Sequence, residues 1–199
     1  MANKPFSVQG MNVVSPKGSA LWCKHKEPDR KYDSDGTLST SLVLDPADPA
    51  TTAFIERLDK LLDKAYEETV ETMGAKGKQV RKRDLFVEDE NGHYVFKFNL
   101  KGVDARKARG QQHSIQIVDA HKNKLDDAPL VGNGSTIRVA AFVFPYFMAV
   151  TKEVGLSFMW IKLQLIDLVE FSNAGDDFDE EDGFTAETVD NTFDQDEDF

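Results

Sequence analysis

Apolar and polar residues alternate along most of the chain, and this period of two predicts a protein built mainly from β-strands. In HYVFKFNL, for example, Tyr94, Phe96 and Phe98 fall on one face of a strand and Lys97 on the other. Segments of this kind, bounded by turn-forming residues, are residues 19–25, 37–44, 93–100, 113–120, 135–147 and 155–171. Residues 1–17 lack a clear pattern, and we expect them to form an irregular arm.

Between residues 49 and 73 the apolar spacing changes to steps of three and four, which predicts an amphipathic helix. Asp48 suits the N-cap, Pro49 the first helical position and Gly74 the end. The apolar stripe consists of Phe54, Ile55, Leu58, Leu61, Leu62, Ala65, Tyr66, Val70 and Met73. We expect it to pack against the protein's own sheet, and the alternative is a partner-binding helix. Residues 74–83, with two glycines and five cations, are predicted to form a mobile basic loop.

The order of these elements is strand, strand, helix and then about four strands, without the alternation of strand and helix that parallel sheets require. We therefore predict a mainly β protein, a five-stranded antiparallel OB-fold barrel with one inserted α-helix. From residue 175 onward there is no periodicity and almost no large apolar residue except phenylalanine. This composition predicts a folded domain over residues 1–174 and a disordered acidic tail over residues 175–199.

Charge is distributed unevenly around the net value of −11. Residues 173–199 contain twelve acidic and no basic residues, which leaves 24 basic and 23 acidic residues in positions 1–172. Within residues 76–124, twelve basic residues stand against six acidic ones. The chain therefore has a basic middle and an acidic end, and we expect the two to attract each other.

Several classes of chemistry are not indicated by the sequence. There is no phosphate-binding glycine motif, and the histidines lie in no recognisable nucleophile motif, so we expect neither an enzyme nor a cofactor. Cys23 is the single cysteine, which fits a reducing cytoplasm, and its proximity to His25 is too little to indicate a metal site. We also find no signal peptide and no apolar run long enough for a membrane span.

Cations interleaved with aromatic residues indicate a surface for single-stranded nucleic acid. Phosphates require a basic groove, and unstacked bases require flat faces that contribute roughly 1–3 kcal/mol each. Lys97 lies between two phenylalanines, and Tyr146 and Phe147 precede Lys152. Arg138 similarly lies near Phe142 and Phe144. The alternative is that these aromatics form the core, because either Phe142 and Phe144 or Val139 and Val143 could face inward.

The acidic tail contains four phenylalanines, Phe178, Phe184, Phe193 and Phe199. An aromatic anchor among acidic residues is typical of a docking segment, since charge steers the encounter and one pocket holds the ring. A tail that only improves solubility would not need these rings. An acidic-tailed interaction protein or chaperone is therefore an alternative function, and an RNA-binding OB module is another.

Several segments in their order along the chain resemble the single-stranded DNA-binding proteins of T7-like bacteriophages. They are STSLVLDPADP before the helix, FKFN, SIQIVDAHKNKLDDAPLVGNGSTIRV, VFPY, WIKLQLIDLVEF and the final DF after an acidic run. The resemblance implies an OB-fold that binds single-stranded DNA without sequence preference in replication, recombination, repair and strand annealing. It also implies a tail that competes with DNA and contacts the phage DNA polymerase and helicase-primase, a possible homodimer, and action in the host bacterial cytoplasm.

The resemblance also implies which residues bind. Tyr146 corresponds to a stacking tyrosine of the family, whereas Met148 stands where the family has a tryptophan, so Phe147 could substitute. The candidate DNA-binding residues are Arg81, Lys82, Arg83, Tyr94, Lys97, Lys101, Arg106, Lys107, Arg109, Arg138, Tyr146, Phe147 and Lys152. The candidate partner-binding residues of the tail are Asp194, Asp196, Glu197, Asp198 and Phe199.

Overall fold

The computed structural model describes residues 5–102 and 113–170. The strands in these ranges are β1 Met11–Val14, β2 Gly18–Asp29, β3 Thr37–Leu44, β4 Arg81–Lys82, β5 Val87–Glu88, β6 Tyr94–Lys101, β7 Gln116–Val118, β8 Thr136–Met148 and β9 Glu153–Asp167. One helix, α1, spans Pro49–Met73 and continues into a 3₁₀ helix over Gly74–Gln79. The predicted tail and the basic residues Arg106, Lys107 and Arg109 lie outside the described residues.

Five strands pair in a closed ring. β8 pairs with β2, β2 with β3, and β3 with β6, all antiparallel. β6 then meets β9 through a parallel bridge between Asn99 and Met159, and β9 pairs antiparallel with β8. A sheet that closes on itself has no free edge strands within the ring, which is the arrangement of an OB-fold barrel. The prediction of a mainly β, five-stranded barrel with one inserted helix is confirmed. The predicted barrel is antiparallel, and the β6–β9 contact is the one pairing in the ring that is parallel instead.

The interior of the barrel decides which aromatics are core. Val139 and Val143 are fully buried, whereas Phe142 and Phe144 are only half-buried and lie on the outward face of β8. On β6 the aromatic face points inward, and Phe96 and Phe98 both contact Phe158 edge-on, with ring centroids 5.9 and 5.5 Å apart. The strands β6 and β8, which both pair with β9, therefore use their aromatic residues in opposite ways.

The helix closes one side of the barrel. Asp48 caps its first turn by accepting a 2.8 Å hydrogen bond from the Ala50 amide, and Gly74 ends it at a φ of 53°. Phe54, Leu58 and Leu61 join the barrel core. A smaller cluster below the helix contains Phe6, Leu62, Ala65, Val80 and Val154. The prediction that the stripe packs against the protein's own sheet is confirmed.

Two segments differ from the sequence predictions. Part of the expected irregular arm forms β1, which pairs with β8. Directly after β1, the Oγ of Ser15 accepts a 2.9 Å hydrogen bond from the Val139 amide of β8 and so holds the segment in place. The predicted mobile basic loop is instead the 3₁₀ helix followed by β4. Gly77 allows the 3₁₀ helix to pack closely on α1, since a Cβ there would lie 2.4 Å from the Val70 carbonyl oxygen. Both segments depend on contacts with distant residues, which a local pattern does not reveal.

Replacing Leu58 with alanine should lower the free energy of unfolding by about 2–5 kcal/mol, because the side chain is fully buried between helix and barrel. Urea unfolding followed by circular dichroism would measure the change. Lys60→Ala, on the exposed face of the same helix, is the control and should change stability by less than about 0.5 kcal/mol. Equal effects of the two substitutions would contradict the packing described for α1.

Candidate nucleic-acid interface

An open groove of about 1060 Å³ runs over the outward face of β3, β6 and β9. The strands β3, β6 and β9 contribute Thr37, Ser39, Lys97, Asn99, Leu100, Lys101, Ser157, Met159, Trp160 and Ile161. Its rims are formed by Asp29, Tyr32, Asp33, His113, Ser114 and Phe144. The groove is thus lined on one side by polar and cationic groups and at one edge by an aromatic ring.

The floor of the groove follows directly from strand alternation. In β3 and β6 the core takes Leu38, Leu42, Phe96 and Phe98, so the intervening residues face outward. The β3–β6 register pairs Ser39 with Asn99 and Ser41 with Lys97. Lys97 is exposed and has no ion-pair partner in the described part of the chain. Its ammonium group is therefore available to an anion in the groove.

The aromatic residues of β8 form a row on the same outward face. Phe142, Phe144 and Tyr146 alternate with buried residues, and the rings of the two phenylalanines lie 6.1 Å apart at an interplanar angle of 30°. Tyr146 lies over Gly155 of β9. A Cβ added to residue 155 would be only 2.7 Å from the hydroxyl oxygen of Tyr146. The glycine therefore leaves room for the ring, and β8 presents a ladder of flat apolar faces.

A second cleft of about 460 Å³ continues the groove past β8. It lies between residues 6–10 of the N-terminal segment and Phe142 and Pro145. Phe144 and Met159 line both the groove and this cleft. An extended ligand could therefore pass over Phe144 from one to the other.

Lys101, at the end of β6, is held by an ion pair with Asp33 of the β2–β3 loop. The hydrogen bond between the two side chains raises the pKa of Lys101 and lowers that of Asp33. Both groups line the groove. An anionic ligand that uses Lys101 must therefore compete with the Asp33 carboxylate.

The basic residues 81–83 lie along the start of β9. The amides of Arg81 and Arg83 donate to the carbonyl oxygens of Lys152 and Val154, at 3.0 and 2.8 Å. Lys82 points to the helix, where it pairs with Asp63 at 2.5 Å and lies 5.2 Å from the centroid of the Tyr66 ring. The hydrogen bond with Asp63 is the main cause of its raised pKa. Because side chains alternate along a strand, Arg81 and Arg83 point away from the helix.

These arginines lie beside the turn of the β8–β9 hairpin. Arg81 is opposite Glu153 in the β4–β9 pairing, and Lys152 donates a hydrogen bond to the side-chain carbonyl of Gln79. Tyr146 and Phe147 face opposite sides of β8, and Phe147 packs on the small cluster below the helix. The structure therefore brings Arg81, Lys152 and Tyr146 to one end of the hairpin.

Of the candidate residues within the described ranges, Lys97 and Lys101 line the groove, and the others, Tyr94 and Arg138 among them, do not. Tyr94 is half-buried at the start of β6 and stacks on Phe86 with ring centroids 4.1 Å apart. Arg138 donates from Nε to the Ser15 carbonyl oxygen at 3.1 Å. It lies eight residues from Tyr146 along β8, about 26 Å in an extended strand. Neither is among the residues that line the groove.

Sequence reasoning did not identify several residues of the groove. They are Thr37, Ser39, Asn99, Ser157, Met159, His113 and Tyr32. Alternation with Phe96 and Phe98 could have indicated Asn99 as an outward residue beside Lys97. The others face the groove only because β3, β6 and β9 become neighbours in the barrel, and no local signal marks Tyr32 within its turn-rich segment.

Cys23 and His25 lie two residues apart on β2. The Cys23 Sγ lies 3.8 Å from Nδ1 of His25, and no group of three or more potential ligands occurs within residues 5–102 and 113–170. Burial raises the pKa of the Cys23 thiol to about 11 and lowers the pKa of His25.

Within residues 5–102 and 113–170, no helix is long and apolar enough to cross a membrane.

A family model for the single-stranded DNA-binding protein of bacteriophage T7 matches residues 18–171. The chain belongs to this family. It is 25% identical to the single-stranded DNA-binding protein of Enterobacteria phage T3 over 154 residues, covering 71% of this chain and 66% of that protein. It is also 25% identical to the protein of Escherichia phage T7 over 166 residues, covering 76% of this chain and 72% of the relative. The aligned region thus spans slightly less than two thirds of the T3 protein.

Two solved structures share the fold. The crystal structure of gp2.5, a single-stranded DNA-binding protein encoded by bacteriophage T7, superposes with a TM-score of 0.71 at 22% identity. That similarity covers 89% of this chain and 100% of the other. A C-terminal truncation of the single-stranded DNA-binding protein from bacteriophage Enc34 has a TM-score of 0.54 at 7% identity, covering 80% and 87% of the two chains. These similarities support the barrel architecture of this T7-type family member.

The raised pKa of Cys23 predicts slow alkylation of the folded protein by iodoacetamide. At pH 8 a thiol with a pKa of about 11 has roughly a hundredfold less thiolate than an unperturbed cysteine, and only the thiolate reacts. Mass spectrometry should therefore show at least about a hundredfold slower modification than for the same protein unfolded in guanidinium. Equal rates in the two states would contradict the burial of the thiol.

Proposed function

We propose that this protein binds single-stranded DNA without sequence preference in the groove over β3, β6 and β9. The observation that carries the proposal is the arrangement of Lys97 on the floor of the groove and Phe144 at its edge, within a row of outward aromatics. Phosphates would contact the cation and bases would stack on the rings, and stacking accepts every base because each has a flat face. Membership of the T7-type family supports the same function.

The candidate residues divide into groups on geometric grounds. Lys97 and Lys101 would contact phosphates within the groove, whereas Arg81, Arg83 and Lys152 would extend the basic surface beside the hairpin turn. Phe144 and Tyr146 would stack on bases. Tyr94, Phe147, Lys82 and Arg138 contact other parts of the protein, and we assign them supporting roles. Arg106, Lys107 and Arg109 remain proposed phosphate contacts on the segment that joins β6 to the strand β7.

We further propose a role for the acidic end of the chain. With twelve acidic residues, residues 173–199 carry the charge to compete with DNA for the basic surface. When DNA displaces it, the segment ending in Asp194, Asp196, Glu197, Asp198 and Phe199 would recruit the phage DNA polymerase and helicase-primase. The protein would then serve replication, recombination and strand annealing as a homodimer.

Fluorescence anisotropy of a labelled oligo-dT should show binding that weakens with salt. If about four phosphates are neutralised, log affinity should fall against log salt with a slope near −2.8, or about −0.7 per phosphate. Lys97→Ala should weaken binding and make the slope less steep by about 0.7. Lys60→Ala, which removes an exposed cation from the helix, is the matched control and should leave the slope unchanged.

A flat salt response would contradict the proposal, as would tighter binding to a duplex of equal length. Tighter binding to oligo-rU than to oligo-dT would favour the RNA-binding alternative. If Lys97→Ala has the same slope as the wild type, Lys97 does not contact a phosphate and the groove floor is not part of the interface. That result would not contradict DNA binding by another surface of the protein.

A chain ending at Ala174 should bind oligo-dT more tightly than the full chain, because the competing acidic residues have been removed. The same anisotropy titration measures the difference, and the gain should shrink as salt screens the attraction. Equal affinities at low salt would show that residues 175–199 do not compete with DNA. Absence of DNA binding by both chains would favour the acidic-tailed interaction protein.

A further inference from the structure

Tyr32 lies on the loop between β2 and β3, which forms one rim of the groove. The residue is 90% exposed, the highest exposure among the aromatic residues of the described ranges. We infer that Tyr32 is an additional base-stacking residue of the groove. This inference rests on the proposed DNA-binding function and assigns part of that surface to the β2–β3 loop.

The loop around Tyr32 is held by its own hydrogen bonds. Asp29 accepts a 2.9 Å hydrogen bond from the Lys31 amide, and Asp33 accepts one of 3.1 Å from the Asp35 amide. The Gly36 amide then donates to the Asp33 carbonyl oxygen at 2.9 Å, with Gly36 at a φ of 71°. Tyr32 therefore lies between two side-chain-stabilised turns.

The loop is also fastened to the groove floor. The Gly102 amide donates a 2.9 Å hydrogen bond to the Gly36 carbonyl oxygen, and Lys101 pairs with Asp33. A Cβ at Gly102 would lie 2.4 Å from the Asp35 carbonyl oxygen, so glycine permits the loop to approach β6 this closely. These contacts hold the loop against the end of the same strand that carries Lys97. A ring on a fixed support loses little entropy when it binds.

The unpaired cation of the groove lies on its floor and not beside Tyr32. Asp29 and Asp33 both line this rim, and ion pairs with Lys24 and Lys101 already occupy their carboxylates. The exposed Lys97 on the floor has no ion-pair partner in the described residues and would attract a phosphate. A strand in the groove would therefore place its backbone toward Lys97 and a base toward Tyr32. The Lys31 ammonium, 5.3 Å from the ring centroid, adds a cation near the ring.

High exposure also makes Tyr32 a clean test site, because removing its ring should not change the melting temperature. Tyr32→Ala should lower affinity for oligo-dT by at least about fivefold, the lower end of the contribution of base–aromatic stacking. Affinity for an abasic oligonucleotide of equal length, which retains the phosphates, should stay within twofold of the wild type. Tyr32→Phe should keep wild-type affinity for both probes, since the ring and not the hydroxyl makes the contact.

The control is Trp22→Ala, which removes another exposed aromatic that does not line the groove. It should leave the affinity for both probes unchanged. The inference would be overturned by equal losses on the two probes, by a loss in Tyr32→Phe as large as in Tyr32→Ala, or by the same loss in Trp22→Ala. If the wild type binds oligo-dT and Tyr32→Ala binds it equally well, only this inference fails. If the wild type binds neither probe, the proposed function fails instead.

Discussion

The antiparallel pairing of β8 with β9 is the constraint on which the rest of the structure depends. It runs from Thr136 opposite Asp167 to Met148 opposite Glu153. Every other strand of the described sheet, except β3 and β5, pairs with one of these two. The hairpin closes the barrel through β2 and β6, receives β1 and β7 along its edges, and holds β4 beside its turn. The positions of Phe144 and Tyr146 are therefore set by this one ladder of hydrogen bonds.

Because side chains alternate along β8, one face of this strand packs in the core and the other forms part of the proposed binding surface. Its inward residues, among them Val139 and Val143, fill the barrel, while Phe142, Phe144 and Tyr146 form the outward row. Leaving large aromatic faces partly in water gives up some of the burial free energy that a core position would contribute. Because the two faces of the strand are independent, the outward row can serve a ligand without disturbing the core.

Two basic groups at the proposed interface already have intramolecular partners. Asp33 pairs with Lys101, and the Gln79 side chain accepts a hydrogen bond from Lys152. Such exposed contacts contribute little to stability, typically 0–1 kcal/mol, so an incoming phosphate can replace them. They also keep long side chains in defined positions before binding. The proposed competition by the acidic end of the chain would act through the same electrostatics on a larger scale.

Elements with local signals can be predicted from the amino-acid sequence alone. Asp48, Pro49 and Gly74 define the helix, period-two alternation defines the long strands, and the interleaved cations and aromatics indicate the class of ligand. The sequence could not decide whether Phe142 and Phe144 or Val139 and Val143 face inward, because both faces of that strand are apolar. Nor could it reveal β4 or the position of Tyr32. These points become visible in the folded protein, because Arg81 pairs with Glu153, and Tyr32 lies at the groove, through contacts between residues far apart in the chain.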